Sequence, residues 1–457
     1  MNIPRYALDC IERLEMAGFE AWAVGGCVRD SLLGSVPADW DLCTNALPEE
    51  IKACFYDHRL ILAGEKHGTV AVICGKKTVE ITTFRQEGDY SDSRHPGWVS
   101  FVEDIDGDLA RRDFTINAMA YHPRRGLRDP FGGQEDLENR ILRAVGTPER
   151  RFQEDALRIL RGLRFSARLN LEGDPATQKA MNDLAPLVKN LARERVYDEL
   201  CKLLLSTGDL YPVLREYSAV IVAAIPDLGP AVGFDQHNPH HKLNVYDHIA
   251  AVTAAVPADL TIRWAALLHD VGKPACFTQD SRGVGHFYSH AAVGADKAKK
   301  ILTSLRAPKA LITRVSTLVR WHGVCFQYEP KSIRRLLSRH GEDVVWQLLT
   351  LDRGDSRGKP GDDNQAPFDL FEENLRRILE EAQAFSLKNL AVSGRDLIAA
   401  GIEPGPRLGQ VLNQLLAEVV DGNLINSRQA LIQRALDVTK YDALRDAEEV
   451  VETKDNW

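Results

Sequence analysis

Residues 21–44, AWAVGGCVRDSLLGSVPADWDLCT, decide the fold, because they join a tight glycine turn to two carboxylates set one strand further on. Residues 19–24 are short and apolar and predict a buried strand. Gly25-Gly26 lets the chain turn and bring bare backbone N–H groups to an anion, and residues 28–33 predict a helix start. Phosphate is favoured at a helix N-terminus, and Arg29 adds a cationic fork. Asp39-Trp40-Asp41 falls where a second strand begins, and alternation puts both carboxylates on one face with Trp40 on the other. Two hard oxygen ligands side by side suit Mg2+, which takes one or two carboxylates plus substrate phosphates. In-line displacement on a triphosphate by a two-metal mechanism needs this arrangement.

The whole chain sets the bounds. Its 457 residues predict two to four domains, and 44% hydrophobic with 27% charged residues is ordinary soluble composition. No apolar run approaches the ~18 residues of a membrane span. Residues 1–19 read as an amphipathic helix without a signal pattern, so the expected location is cytoplasmic. Eight scattered cysteines without a C-x-x-C pair predict reduced core thiols rather than a disulfide framework or zinc site. A net charge of −8 means that any RNA contact comes from local basic patches.

Along the chain, residues 48–55 predict a helix, and 70–74 and 78–82 predict strands around the turn Gly75-Lys76-Lys77. Glu80 projects opposite to Val79 and Ile81, either as a third metal-site carboxylate or as a solvent-facing strand residue. Residues 86–98, QEGDYSDSRHPGW, have no periodicity and predict a long loop beside the site. In RRDFTINAMAY, residues 111–121, two cations and a carboxylate can hold phosphate and ribose hydroxyls.

A helix is predicted over residues 153–169, with Ala156, Ile159, Leu160, Leu163 and Ala167 on its core stripe and Asp155, Arg158, Arg161 and Arg164 opposite. Asp155 and Arg158, one turn apart, read either as a helix ion pair or as a base reader. A carboxylate only accepts and a guanidinium only donates. Cytosine and adenine each place an amino donor beside a ring-nitrogen acceptor and match this pair. Uracil and guanine oppose it, at about 1–3 kcal/mol per bidentate contact. From Gly233 histidines concentrate, and His248, adjacent His269-Asp270, His290 and His322 form a plausible nitrogen and oxygen ligand set for a metal. Residues 364–457 read as helices around the turn GIEPGPRLG.

GGCVRD followed by DWD resembles the DNA polymerase β-like nucleotidyltransferases, in the class II group that holds the tRNA CCA-adding enzymes and bacterial poly(A) polymerases. RRDFTINAMAY, DPFGGQEDL (129–137), RRFQEDALRILRGLRFSARL (150–169) and LARERVYDELCKLLL (191–205) resemble the group's second to fifth motifs in order. The resemblance implies an α+β multidomain chain: a nucleotidyltransferase head with a mixed sheet over 1–145, a helical neck and body over 146–232, an HD domain over 233–360 and a helical tRNA-binding tail over 361–457. It implies Mg2+ on Asp39 and Asp41, with Glu80 as a further catalytic carboxylate. Gly25, Gly26, Arg29, Arg112, Asp113 and Asn117 would hold the nucleotide. Asp155 and Arg158 would read the base, with Arg161 and Arg164 near the triphosphate or primer.

LLHDVGK, GHFYSHAAVGA and RGDSRGK resemble the HD phosphohydrolases, which implies a divalent transition metal on His248, His269, Asp270 and Asp355, and a second on His290 and His322. Asp352 competes with Asp355 for the last position. The implied activity is CCA addition to tRNA from CTP and ATP. A-only addition, poly(A) synthesis and HD phosphohydrolysis are the alternatives; the acidic end DAEEVVETKDNW speaks against poly(A) polymerase, and a full-length 86–98 loop against CC-only addition.

Overall fold

The apolar runs of the N-terminal part pair into one seven-stranded mixed sheet in the computed structural model, which describes residues 1–87, 99–238, 242–359, 361, 364–381 and 384–452. In chain order the strands are β1 (Ala21–Val24), β2 (Trp40–Thr44), β3 (Arg59–Ile61), β4 (Thr69–Cys74), β5 (Lys77–Thr83), a separate pair β6 (Arg85–Glu87) and β7 (Val99–Phe101), then β8 (Ala120–His122) and β9 (Gly126–Arg128). Across the sheet the order is β3-β4-β5-β2-β1-β8-β9. Only β2 and β5 run parallel, with Asp41 opposite Glu80. Central β1 is buried along its whole length, as its unbroken apolar run requires, whereas β2 opens with buried Trp40 beside exposed Asp41. The helix α1 (Arg5–Met16) lays Ala7, Ile11 and Leu14 on β1 and β2. Of the loop expected over 86–98, residues 88–98 lie outside the described residues, and residues 86–87 belong to β6.

The turn after β1 forms at Gly25, whose φ of +77° suits only glycine, and α2 (Gly26–Leu32) follows at once. A Cβ on Gly25 would stand 2.9 Å from Arg112 Nη1, so the glycine also lets that guanidinium approach.

The helix expected over 153–169 is two helices, α3 (Pro148–Glu154) and α4 (Leu157–Leu169). Asp155 interrupts them in extended conformation, φ −139° and ψ 104°. Its carboxylate accepts the Leu157 amide at 3.0 Å, the local competition with helical hydrogen bonding that short acidic side chains offer. The expected stripe is otherwise in place: Ala156, Ile159, Leu160, Leu163 and Ala167 are all buried. The helix α5 (Arg193–Leu204) packs along α4 and buries Val196, Leu200, Leu203 and Leu204.

The chain divides into two compact units, residues 1–232 with 300–308, and 233–299 with 309–457. The second is built of helices and one small ribbon, Thr278–Gln279 with Gly285–His286. Its helices include α6 (Val245–Ala255), α7 (Leu260–Leu268), the first ten residues of α8 (His290–Ser304), α9 (Lys309–Trp321), α10 (Pro330–His340) and α11 (Glu342–Arg357). Towards the C-terminus Val411, Leu415, Leu431 and Ala435 anchor a separate apolar cluster. Among the described residues no helix is long and apolar enough to cross a membrane.

Candidate functional site

A cavity of about 920 Å³ opens in the first unit, and every nucleotide-site residue expected from the sequence except Glu80 lies on its wall. The β1–α2 turn supplies Gly25, Gly26 and Arg29, β2 supplies Asp41 with Asp39 just before it, and Arg112, Asp113 and Asn117 come from the segment before β8. Asp155, Arg158, Arg161 and Arg164 face them. Glu80 stands beside Asp41 across the β2–β5 pairing and is exposed. Asp41 opens to the cavity, yet the walls withhold water from its carboxylate. That desolvation first, then the charge of Glu80, push it up to about 6, against the pull of Arg112. Hard oxygens that crowd one another in this way fit a divalent cation.

Asp113 lines the cavity, but its buried carboxylate is engaged within the protein. Its Oδ2 accepts from Arg161 Nε at 2.7 Å, and its Oδ1 accepts from Asn117 Nδ2 at 3.0 Å and Phe114 N at 2.9 Å. Burial alone would raise its pKa, but Arg161 and Asn117 outweigh it and hold the carboxyl well below the usual range. Asn117 in turn accepts from Arg29 Nη1 through Oδ1, which fixes Arg29 together with Asp30 at 2.8 Å. Asp113 and Asn117 thus orient the arginines that a triphosphate would meet.

Asp155 and Arg158 share the cavity wall but do not pair with each other, which removes the helix ion pair from the two alternatives. With α4 beginning only at Leu157, Asp155 turns to Arg195 Nη2 of α5 at 3.3 Å. Arg158 donates to Glu154 Oε2 at 2.9 Å and to the carbonyl of Arg111 at 3.0 Å. Arg195 and Phe165 also line the cavity, and neither is among the residues expected there. Arg195 comes from a distant helix, and no spacing announces it. Phe165 does carry a helical-spacing signal, being four residues after Arg161 and next to Arg164.

Three guanidiniums gather on the Phe165 ring: Arg164 at 4.6 Å, Arg29 at 5.1 Å and Arg161 at 5.5 Å from its centroid. One aromatic ring thereby draws together cations that repel one another. Phe165→Leu keeps the apolar volume and loses the π-face. It is expected to raise KM for nucleotides about 3- to 10-fold, the ~1 kcal/mol of a cation–π contact, with little change in kcat. Steady-state kinetics with each nucleotide tests this, and an unchanged KM would make Phe165 mere packing.

The second unit holds a separate cluster. His248 from α6, His269 and Asp270 after α7, His290 at the start of α8, His322 after α9 and Asp355 in α11 converge around the Asp270 carboxylate. The Nε2 atoms of His248 and His269 are 3.4 Å apart, and those of His290 and His322 3.1 Å. The Nδ1 atoms of His269, His290 and His322 donate to the carbonyls of Ala266, Phe287 and Val319 at 2.6–2.7 Å, and that of His248 faces the Gly358 carbonyl at 3.4 Å. With Nδ1 committed to a carbonyl, Nε2 is the atom that each ring leaves facing the cluster for a metal. Burial first, then the neighbouring His269, push His322 down to about 4, so its ring is neutral. Two sets fit a cation by ligand-atom distance, His248-His269-Asp270 and Asp270-His290-His322. Gly272 makes the convergence sterically possible, since a Cβ there would meet the His290 carbonyl oxygen at 2.3 Å.

Asp355, not Asp352, joins this cluster: its Oδ1 is 2.9 Å from His248 Nε2. Asp352 is buried and accepts the amides of Gly323 at 2.7 Å and Cys325 at 2.9 Å. Asp352→Ala would strand two amides and is expected to cost about 2–4 kcal/mol, read as a lower midpoint in denaturant. Asp355→Ala should instead lower metal content at near-native stability, and the reverse pattern would exchange the two assignments.

Comparison with known proteins places these features in context. The family described as Poly A polymerase head domain matches residues 21–143. The family described as Probable RNA and SrmB-binding site of polymerase A matches residues 170–215, and the one described as tRNA nucleotidyltransferase domain 2 putative matches residues 285–435. The CCA-adding enzyme of Streptococcus gordonii is 35% identical over 427 residues, 93% of this chain and 95% of that protein. That of Streptococcus mutans is 34% identical over 429 residues, again 93% and 95%. Among solved structures, the Bacillus stearothermophilus CCA-adding enzyme in complex with CTP superposes with a TM-score of 0.73 at 29% identity, covering 97% of this chain and all of that one.

Proposed function

The chain belongs to the CCA-adding enzyme family of tRNA nucleotidyltransferases, and from that premise we propose that it adds C, C and A to the 3′ end of tRNA from CTP and ATP. The observation that carries this is the similarity to CCA-adding enzymes along 93% of the chain, coupled to a cavity in which a carboxylate pair faces a bank of arginines. The chain would comprise the four parts expected from the sequence, head, neck, HD domain and tail, and the expected location is the cytoplasm.

In this mechanism the tRNA 3′-hydroxyl gives up its proton to water as its oxygen bonds to the α-phosphorus of the bound nucleotide, the bond from that phosphorus to the bridging oxygen breaks, and pyrophosphate leaves. Asp39 and Asp41, with Glu80 beside them, would hold Mg2+. Bound there, the ion supplies charge stabilisation at the phosphoryl oxygens and activates the attacking hydroxyl. Arg29, Arg112, Arg161 and Arg164 offset the triphosphate charge, each held beforehand by Asn117, Asp108, Asp113 or Glu199. Asp155 and Arg158 accept cytosine and adenine and oppose uracil and guanine.

The histidine cluster favours a second, coexisting activity. His248, His269, Asp270 and Asp355 would hold one divalent transition metal and His290 with His322 a second, providing a Lewis acid for hydrolysis of a phosphate ester. Lys273 and Lys359 line the same opening, paired with Asp270 at 2.7 Å and Asp355 at 3.0 Å, and so hold these two carboxylates in place.

The test is incorporation into three tRNA transcripts ending at the discriminator base, at C and at CC, with each nucleotide alone and with CTP plus ATP. Growth of all three to CCA is expected. Extension of the CC-ended transcript alone would make the protein an A-adding enzyme, and a long ladder of A a poly(A) polymerase.

A further inference from the structure

The chain carries a formal charge of −8, yet residues 309–340 hold seven Lys or Arg against a single Glu. Four of the seven are engaged within the protein. Arg320 pairs with Asp296 at 2.9 Å, Arg335 with Asp421 at 2.7 Å with Lys331 close to the same carboxylate, and Arg334 donates to the Val420 carbonyl at 2.9 Å. The other three, Lys309 and Arg314 of α9 and Arg339 of α10, line one open groove of about 560 Å³ in the second unit. Among the described residues none of these three has a carboxylate partner.

The groove is built as well as charged. Arg314 donates through Nη1 to the neutral Gln347 Oε1 at 3.2 Å, so its full charge remains on offer. The Arg339 guanidinium sits 4.9 Å from the Trp321 ring centroid, and the same ring meets His340 edge-on at 4.9 Å. A guanidinium held against an indole loses little freedom on binding an anion and keeps its N–H edge for it. His340 lines the groove with a buried Nε2 that has no hydrogen-bond partner. Burial and then Arg339 hold this histidine below its usual pKa, so at neutral pH the ring offers a neutral donor or acceptor of the kind a ribose hydroxyl can meet.

We propose that this groove binds the sugar-phosphate backbone of the tRNA, as a site separate from the nucleotide cavity of the first unit; this rests on tRNA being the substrate. The chemistry separates a polyanion from a small phosphate. Cations spread along two helices in an open groove give one phosphate little, whereas a nucleic acid meets several of them together and releases its condensed counterions.

The experiment measures tRNA affinity by fluorescence anisotropy at several KCl concentrations, for the wild-type chain, the triple variant Lys309→Ala/Arg314→Ala/Arg339→Ala and the single variant Thr313→Glu. Thr313 is an exposed lining residue, so the added charge repels RNA without touching the core. The triple variant is expected to bind about tenfold more weakly, with the slope of log affinity against log salt shallower by about 2. Thr313→Glu should weaken binding in the same sense, and KM for CTP at saturating tRNA should stay at the wild-type value in both. Unchanged affinity and slope in both variants would overturn the proposal and leave the groove to a protein partner. A wild-type chain that binds tRNA through the groove but does not extend it would refute the proposed reaction and not the groove, while extension with variants that bind normally would do the reverse.

Discussion

Replacement of Asp39 and Asp41 together by alanine is expected to abolish addition of both C and A, on the order of a thousandfold or more, the several kcal/mol of charge stabilisation that a held metal contributes. The fold should survive. Both side chains are exposed to the cavity, and among the described residues neither carboxylate takes part in an ion pair. The folded-state pKa of Asp41, about 6, lies above its unfolded value, so its contribution to stability is fully present below about pH 4 and lost as pH rises through 6. In the metal-free protein Asp41→Asn should therefore melt no lower than wild type at pH 7. The same shift sets the pH profile of transfer. Below about 6 the proton competes with the cation, so activity should fall, and raising the Mg2+ concentration should move that fall to lower pH. Single-turnover incorporation across pH and metal concentration reads both effects. Transfer within tenfold of wild type in the double alanine variant would take these residues out of the mechanism.

What the sequence made legible follows the range of the interactions involved. The β1–α2 turn and the carboxylates at the start of β2 are local, a glycine at positive φ and a two-residue alternation, and both stand where their residue types put them. The core stripe of α4 was likewise written in its period. The break at Asp155 was not, because helical periodicity continues through it and only the bond from the Leu157 amide to its side chain reveals the interruption. The choice between Asp352 and Asp355 needed three dimensions too. Both lie on α11 three residues apart, and only the approach of His248 to one and of the Gly323 and Cys325 amides to the other separates them. Arg195 and Phe165 belong to the same class, since what they do depends on which distant side chains reach them.

Base selection is where that long-range geometry has its largest consequence. Asp155→Ala is expected to lower kcat/KM for CTP and ATP by about 10- to 100-fold, the 1–3 kcal/mol of a good base-edge contact. Use of UTP and GTP should hold steady or rise, because a carboxylate that faces their carbonyls repels them, and alanine removes the repulsion. Discrimination falls for both reasons at once. The Asp155–Arg195 pair adds a second arm. Arg195→Ala removes one of the two contacts that fix this acceptor and leaves the Leu157 amide as the other, so selectivity should fall in the same sense and by less. Competition of CTP with UTP on a tRNA lacking its terminal CCA gives the ratio directly. A ratio unchanged by Asp155→Ala would remove it from base reading. If Arg195→Ala cost as much as Asp155→Ala, the guanidinium of Arg195, one of whose buried nitrogens has no partner, would itself be in contact with the base.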